Sequence, residues 1–194
     1  MKNAKTQTVK FQMSSSMQVR IDNAQNDNMR EFLTKQQTNF EKLSEAQIAA
    51  LQALNIDFKT LSAQIALDKT NKEFLAQYAL EKVIKACKAL ASGSSAMLDK
   101  YTFSIVKNLN TLQTLDNLNT QRAICSKIEI DLMQVEQFVK VYHNCSPSTA
   151  STQASSTRMM LQALNVCNVS KGSKADSISF TDSESALKMQ ALFA

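Results

Sequence analysis

An apolar repeat with helical spacing runs from about Leu33 to Tyr142 and constrains the fold more than any other feature of the chain. Large apolar residues recur every three or four positions, which places them on one face of an α-helix. The 194-residue chain contains only two Gly and one Pro, so few positions favour the end of a helix. The sequence therefore predicts an all-α protein built from long, packed helices.

The first part of the repeat follows two interleaved sets of positions with an interval of seven residues. The first set is Leu33, Phe40, Gln47, Leu54 and Leu61, and the second is Gln37, Ser44, Leu51, Phe58 and Ile65. This spacing is typical of a coiled coil, in which the three polar members weaken the contact and favour a defined register.

We predict a long antiparallel helical hairpin, or coiled-coil bundle, over residues 17–142. The pattern predicts a kink at about 68–71, where the heptad spacing is lost. It also predicts a turn at about 92–95, because Gly93 favours the end of one helix and the serines after it favour the start of another.

The segments that flank the hairpin have a different composition. Residues 1–16 are polar and basic and lack periodicity, which predicts a flexible basic arm. Residues 143–157 are rich in Ser and Thr and contain Pro147, which predicts a linker. Residues 158–194 are predicted to form short C-terminal helices that dock on this chain or on a partner.

The predicted hairpin has more apolar surface than its two arms can cover. Four leucines recur at every third residue from Leu109 to Leu118, and each step turns by ~60° around the helix, so that they wrap about half of it. We therefore predict a homo-oligomer. The predicted contact residues are Leu33, Phe40, Leu51, Leu54, Phe58, Leu109, Leu112, Leu115 and Leu118.

The net charge of +5 is unevenly distributed along the chain. No acidic residue precedes Asp22, so the first twenty residues carry most of the excess. A basic segment of this kind is able to contact phosphate groups. The candidate phosphate contacts are Lys2, Lys5, Lys10 and Arg20. A second basic group flanks the predicted turn and is interpreted as a solvated face: Lys82, Lys85, Lys88, Lys100 and Lys107.

No arrangement of residues in the sequence predicts catalysis, a metal site or a cofactor. The four cysteines lack the paired spacing of a zinc site; they are Cys87, Cys125, Cys145 and Cys167. Both a Cys145–Cys167 disulfide and free thiols remain open. The single histidine, His143, has no acidic residue close to it in sequence, so we expect no nucleophile–base pair with Cys145.

These observations predict a non-enzymatic structural or scaffolding component of a larger oligomeric assembly, of the virion, secretion or filament type. Its partners are predicted to be copies of itself and other proteins of the assembly. One alternative is a nucleic-acid-binding packaging or coat protein that uses the basic arm, with weak binding. A second alternative is a secreted or membrane-active helical effector.

Residues 1–18 lack the apolar stretch of a cleavable signal peptide, and no segment reaches the ~18 consecutive apolar residues of a membrane span. The sequence leaves the localisation unknown: we expect a protein that works in the cytoplasm, is packaged within a particle, or leaves the cell by a route that needs no cleaved leader.

Overall fold

The computed structural model describes residues 2–114, 130–131, 145–170 and 177–194. These ranges contain eight α-helices: α1 (Lys2–Asp22), α2 (Asp27–Glu41), α3 (Glu45–Ala53), α4 (Phe58–Ala66), α5 (Gln77–Ser92), α6 (Lys100–Thr114), α7 (Pro147–Ala163) and α8 (Glu184–Ala191). They also contain a 3₁₀ turn, Ser95–Met97, and three short strands: β1 (Ile130–Asp131), β2 (Cys167–Ser170) and β3 (Ser177–Phe180). The prediction of a mainly helical fold is confirmed.

The prediction of a long first helical arm is wrong. The chain leaves the helix three times between residues 17 and 66, and each new helix begins at a capping side chain. Asn26 accepts a hydrogen bond from the Met29 amide, and Asp57 accepts from the amides of Lys59 and Thr60. Since such caps satisfy amides that have no partner within the helix, they favour several short helices over one long helix.

Ser44 and Gln47 are the clearest case of this effect. The Ser44 hydroxyl accepts from the Gln47 amide, and the Gln47 side chain accepts from the Ser44 amide, which forms a reciprocal capping box. The heptad spacing predicts both residues to be polar members of the coiled-coil contact. They instead start α3.

The chain also leaves the helix near the predicted kink and at the predicted turn. Helix α4 ends at Ala66 and α5 begins at Gln77, so the segment around 68–71 separates two helices. Gly93 ends α5 with φ of +66°, and the amide of Ser94 donates to the Ala89 carbonyl oxygen. The left-handed conformation explains why glycine occupies this position.

The first residues do not form a flexible arm, because they lie in α1. This helix contacts α2, α3 and α4. Its buried positions recur at intervals of three or four and are Thr6, Val9, Met13, Met17 and Ile21. A single amphipathic stripe therefore anchors the N-terminal segment to the rest of the protein.

The predicted linker at 143–157 also lies largely in a helix. Ser146 caps α7, and Pro147 occupies its first turn, where a proline is favoured because the amide it lacks would have no partner within the helix. The last helix begins at the cap Ser183 and follows β3, which pairs antiparallel with β2. The three strands form an antiparallel sheet in the order β1-β3-β2.

Helix α5 lies at the centre of the fold. It contacts α2 and α3 from the N-terminal half of the chain and α7 and α8 from the C-terminal half. Its buried residues surround most of its circumference: Ala79, Leu80, Lys82, Val83, Ile84, Ala86, Cys87, Ala89 and Leu90. The buried apolar side chains form one continuous core that extends from Val9 to Met189.

Candidate interaction surface

The residues predicted to contact a second copy lie mainly in the core of the chain itself. Leu33, Phe40, Leu51, Phe58 and Leu109 are buried, and Leu54 is half-buried against the same core; the rings of Phe40 and Phe58 lie 6.4 Å apart. The side chains on α2, α3 and α4 are covered because α1 to α5 fold onto one another, and α6, which carries Leu109, packs against α7 and α8. The argument that these residues need a partner therefore fails. The side chains of Leu112, Leu115 and Leu118 lie outside the described residues.

Two of the predicted phosphate contacts have structural roles within the chain. The Lys10 ammonium donates to the Glu41 carbonyl oxygen at 3.0 Å, where α2 ends. The Arg20 guanidinium donates to the Leu75 carbonyl oxygen at 2.6 Å and lies 4.4 Å from the centre of the Phe74 ring. Burial lowers the pKa of Arg20 to about 10. The Lys5 side chain is exposed, and that of Lys2 lies outside the described residues.

The second basic group does not form one solvated face. Lys82 is buried and forms an ion pair with Asp99, with Nζ and Oδ1 2.6 Å apart. Lys85 pairs with Glu81 at 2.7 Å, and Lys88 donates to the Asn39 side-chain oxygen at 3.0 Å. Two others lie near aromatic rings: Lys100 above Tyr101 and Lys107 near Phe103.

The Lys82–Asp99 pair connects α5, α6 and α7. Asp99 Oδ1 accepts from the amides of Tyr101 and Thr102, so it also caps α6. Thr102 Oγ1 lies 3.4 Å from the Lys82 ammonium and 3.4 Å from Thr157 Oγ1 on α7. These contacts fix the relative position of three helices.

The two charges of this pair influence each other's protonation. Burial lowers the pKa of Lys82, and the Asp99 carboxylate partly offsets that effect. For Asp99, burial raises the pKa, but the Lys82 charge and hydrogen bonds from Lys82 and Thr102 together bring it below its ordinary value. The 2.6 Å contact between the ammonium and the carboxylate makes the pair a structural connection.

None of the described cysteines forms a disulfide. Cys87 and Cys167 are buried, and burial raises the pKa of each thiol to about 12. Cys145 is half-buried and forms no disulfide with Cys167. His143 and Cys125 lie outside the described residues. Within the described ranges, no group of three or more His, Cys, Asp or Glu side chains is placed to hold a metal ion, and no helix is long and apolar enough to cross a membrane.

A hollow of about 690 Å³ lies along the outer face of α2, and charged and polar residues line it. Arg30 and Asp27 in its wall form an ion pair at 2.8 Å. Lys42 lies at the end of α2, where the partial negative charge of the last carbonyl groups stabilises cations. Asp27, Arg30 and Lys42 are thus stabilised by contacts within α2 itself.

The outer face of α1 has the opposite character. Among the described residues, five large apolar side chains are exposed to solvent. Two of them lie on this helix: Phe11, which is 74% exposed, and Val19, which is 46% exposed. Ser15 lies midway between them and is also exposed. No charged residue occurs between Lys10 and Arg20. We call Phe11, Ser15 and Val19 the α1 outer stripe.

Hydrogen bonds fix the orientation of this stripe. On the side of α2, Ser14 Oγ donates to a Glu41 carboxylate oxygen at 2.8 Å, and Gln37 donates to the Ser14 carbonyl oxygen at 2.9 Å. Arg20 binds the segment before α5. Helix α1 is therefore held by its neighbours, and the outer stripe is presented on a rigid element.

Sequence reasoning missed this surface because it treated residues 1–16 as unstructured. The inward set at Val9, Met13 and Met17 was visible as a helical repeat. Once that set is assigned to the core, the repeat leaves Phe11 and Val19 outside it. No family model, no curated protein and no solved structure matches this chain.

Proposed function

We propose that the protein is a non-enzymatic structural component of a larger assembly and that it acts through helix-to-helix contacts with other protein chains. The observation that carries this proposal is the α1 outer stripe, on which Phe11 is 74% exposed. The nine residues from Phe11 to Val19 are uncharged. A rigid helix face of this composition suits contact with another protein surface.

The environment of Phe11 and Val19 differs from that of the other exposed apolar side chains. Tyr78 packs edge-to-face against Phe32, with ring centres 6.5 Å apart. Met97 lies in the 3₁₀ turn and Leu187 on the short helix α8, and each is the single exposed large apolar residue of its element. Isolated apolar residues are common on protein surfaces, whereas a pair on one rigid face favours a contact.

The experiment is to measure mass in solution by light scattering as the protein concentration is raised. We expect the average mass of the natural chain to increase with concentration. Replacement of both Phe11 and Val19 by Ser should restore the mass of a single chain, because it removes the apolar surface that a contact buries. Helix content by circular dichroism should stay the same, because neither side chain is buried in the core.

The matched control is the pair of substitutions Met97→Ser and Leu187→Ser, which also replace exposed apolar residues. These substitutions should leave the concentration dependence intact. A natural chain that keeps the mass of one copy at all concentrations, and that binds no other protein through the α1 outer stripe, would contradict the proposal.

A further inference from the structure

We propose that the α1 outer stripe binds the same stripe of a second copy of this chain, with the two α1 helices antiparallel and a twofold axis passing close to Ser15. This inference rests on the proposed function, because it identifies the partner and the geometry of that contact. The proposed contact depends on the side chains of the α1 outer stripe and on the charged residues at the two ends of α1.

The first argument is the symmetry of the stripe. Phe11 lies four residues before Ser15, and Val19 lies four residues after it. In a twofold contact, residue i of one copy meets residue j of the other, and the reverse also holds. An antiparallel crossing at Ser15 therefore places Phe11 of each copy against Val19 of the other, so both exposed apolar side chains become covered.

The second argument is the size of the central residue. Helices approach to ~8–10 Å between their axes, and the side chains at the crossing point determine which value is reached. Ser15 has a small side chain, so it permits close approach, while the larger Phe11 and Val19 pack on either side of it.

The third argument is the charge at the two ends of α1. The exposed charged residue at the N-terminal end of the described face is Lys5, and that at the C-terminal end is Asp22. The other charged residue of the last turn, Arg20, is bound to the Leu75 carbonyl oxygen. An antiparallel pair brings Lys5 of each copy towards Asp22 of the other, and it also opposes the two helix dipoles. A parallel pair would bring like charges together.

The size of the stripe sets the strength of this contact. A 21-residue helix is about 31 Å long and about 10 Å wide, so one face covers about 300 Å² per copy, or about 600 Å² in the pair. Stable interfaces bury roughly 1,200 Å² or more. Association of two free copies is therefore weak, and it becomes strong only where further contacts in an assembly hold the copies near each other.

The test is disulfide formation between engineered cysteines in the full-length chain at high protein concentration. A disulfide requires two Cα atoms within about 7 Å. Ser15→Cys places the two thiols at the proposed axis, so we expect a covalent dimer that forms several-fold faster than in the natural chain, which supplies the background from its own four cysteines. Addition of Phe11→Ser to the Ser15→Cys chain should reduce that rate towards background.

The matched control is Thr8→Cys, which lies seven residues earlier on the same exposed face. In an antiparallel pair the two Thr8 positions are roughly 20 Å apart, whereas in a parallel pair they face each other. We therefore expect little dimer from Thr8→Cys.

Equal rates for Thr8→Cys and Ser15→Cys, or a faster rate for Thr8→Cys, would overturn the antiparallel geometry. The same conclusion follows if Ser15→Cys stays at background while the mass still rises with concentration and falls on replacement of Phe11 and Val19. That last result is compatible with the proposed function but requires a different arrangement of the two copies. A chain that stays monomeric and binds no other protein contradicts both the proposed function and the antiparallel contact.

Discussion

Lys82 and Asp99 show how a single pair of residues determines the position of whole helices. The Lys82 side chain is 4% exposed and that of Asp99 is 13% exposed, whereas those of Lys85 and Glu81 in the neighbouring pair are 39% and 27% exposed. Two charges removed from water gain little net stability from each other. They do, however, make any arrangement that separates them unfavourable, so the pair specifies how α6 lies against α5.

Lys82→Met should destabilise the protein far more than Lys85→Met. Both substitutions remove one ammonium from the same helix and break one ion pair. Loss of Lys82 leaves the Asp99 carboxylate poorly solvated and unpaired, at a cost of about 3–5 kcal/mol, while loss of an exposed pair costs below about 1 kcal/mol. Urea denaturation followed by circular dichroism measures both values. Equal losses in the free energy of unfolding would show that the Lys82–Asp99 pair contributes no more to stability than the exposed pair does.

At the scale of elements, α1 is the largest difference between the sequence-based prediction and the structure. Its inward face buries Met13 and Met17 completely, so α1 is part of the core rather than an arm. Its outward face carries the proposed contact. One helix therefore has both a structural role and the proposed binding role.

We predict that Met17→Ala lowers the free energy of unfolding by about 2–5 kcal/mol, since it removes a buried side chain and leaves a cavity. Gln18→Ala, at the next position and exposed, should change it by less than about 0.5 kcal/mol. Chemical denaturation of the two variants provides the comparison. If the N-terminal segment were a flexible arm, both substitutions would change the free energy of unfolding by equally small amounts.

The sequence predicted the helical class and the break at Gly93 because both depend on local properties: apolar spacing and left-handed glycine. It failed where one pattern has two meanings. Ser44 and Gln47 fit a heptad and also a capping box, and Pro147 fits a linker and also the first turn of a helix. Only the tertiary packing distinguishes these alternatives.

The candidate surface was harder to predict than the fold. The importance of Phe11 and Val19 depends on which face of α1 is buried, and that is decided by α2, α3 and α4. The strands β2 and β3 were missed for a related reason: each has only four residues, too few for a clear alternating pattern.

At the scale of the whole molecule, the central position of α5 connects the two halves of the chain. Helices from both halves contact it, and the buried apolar residues form a single core. When one core is shared by all elements, loss of any part of it exposes surface on the rest. Such domains unfold in one cooperative transition.

We therefore predict that the loss of a buried side chain in either half of the chain shifts the same unfolding transition. Met17 lies on α1 and Met189 lies on α8, and both are fully buried. Met17→Ala and Met189→Ala should each lower the midpoint of thermal unfolding while leaving one transition, with the same midpoint by circular dichroism and by calorimetry. If Met189→Ala instead produces a separate early transition while the rest of the helical signal persists, the C-terminal helices form an independent unit. In that case α5 does not couple the two halves.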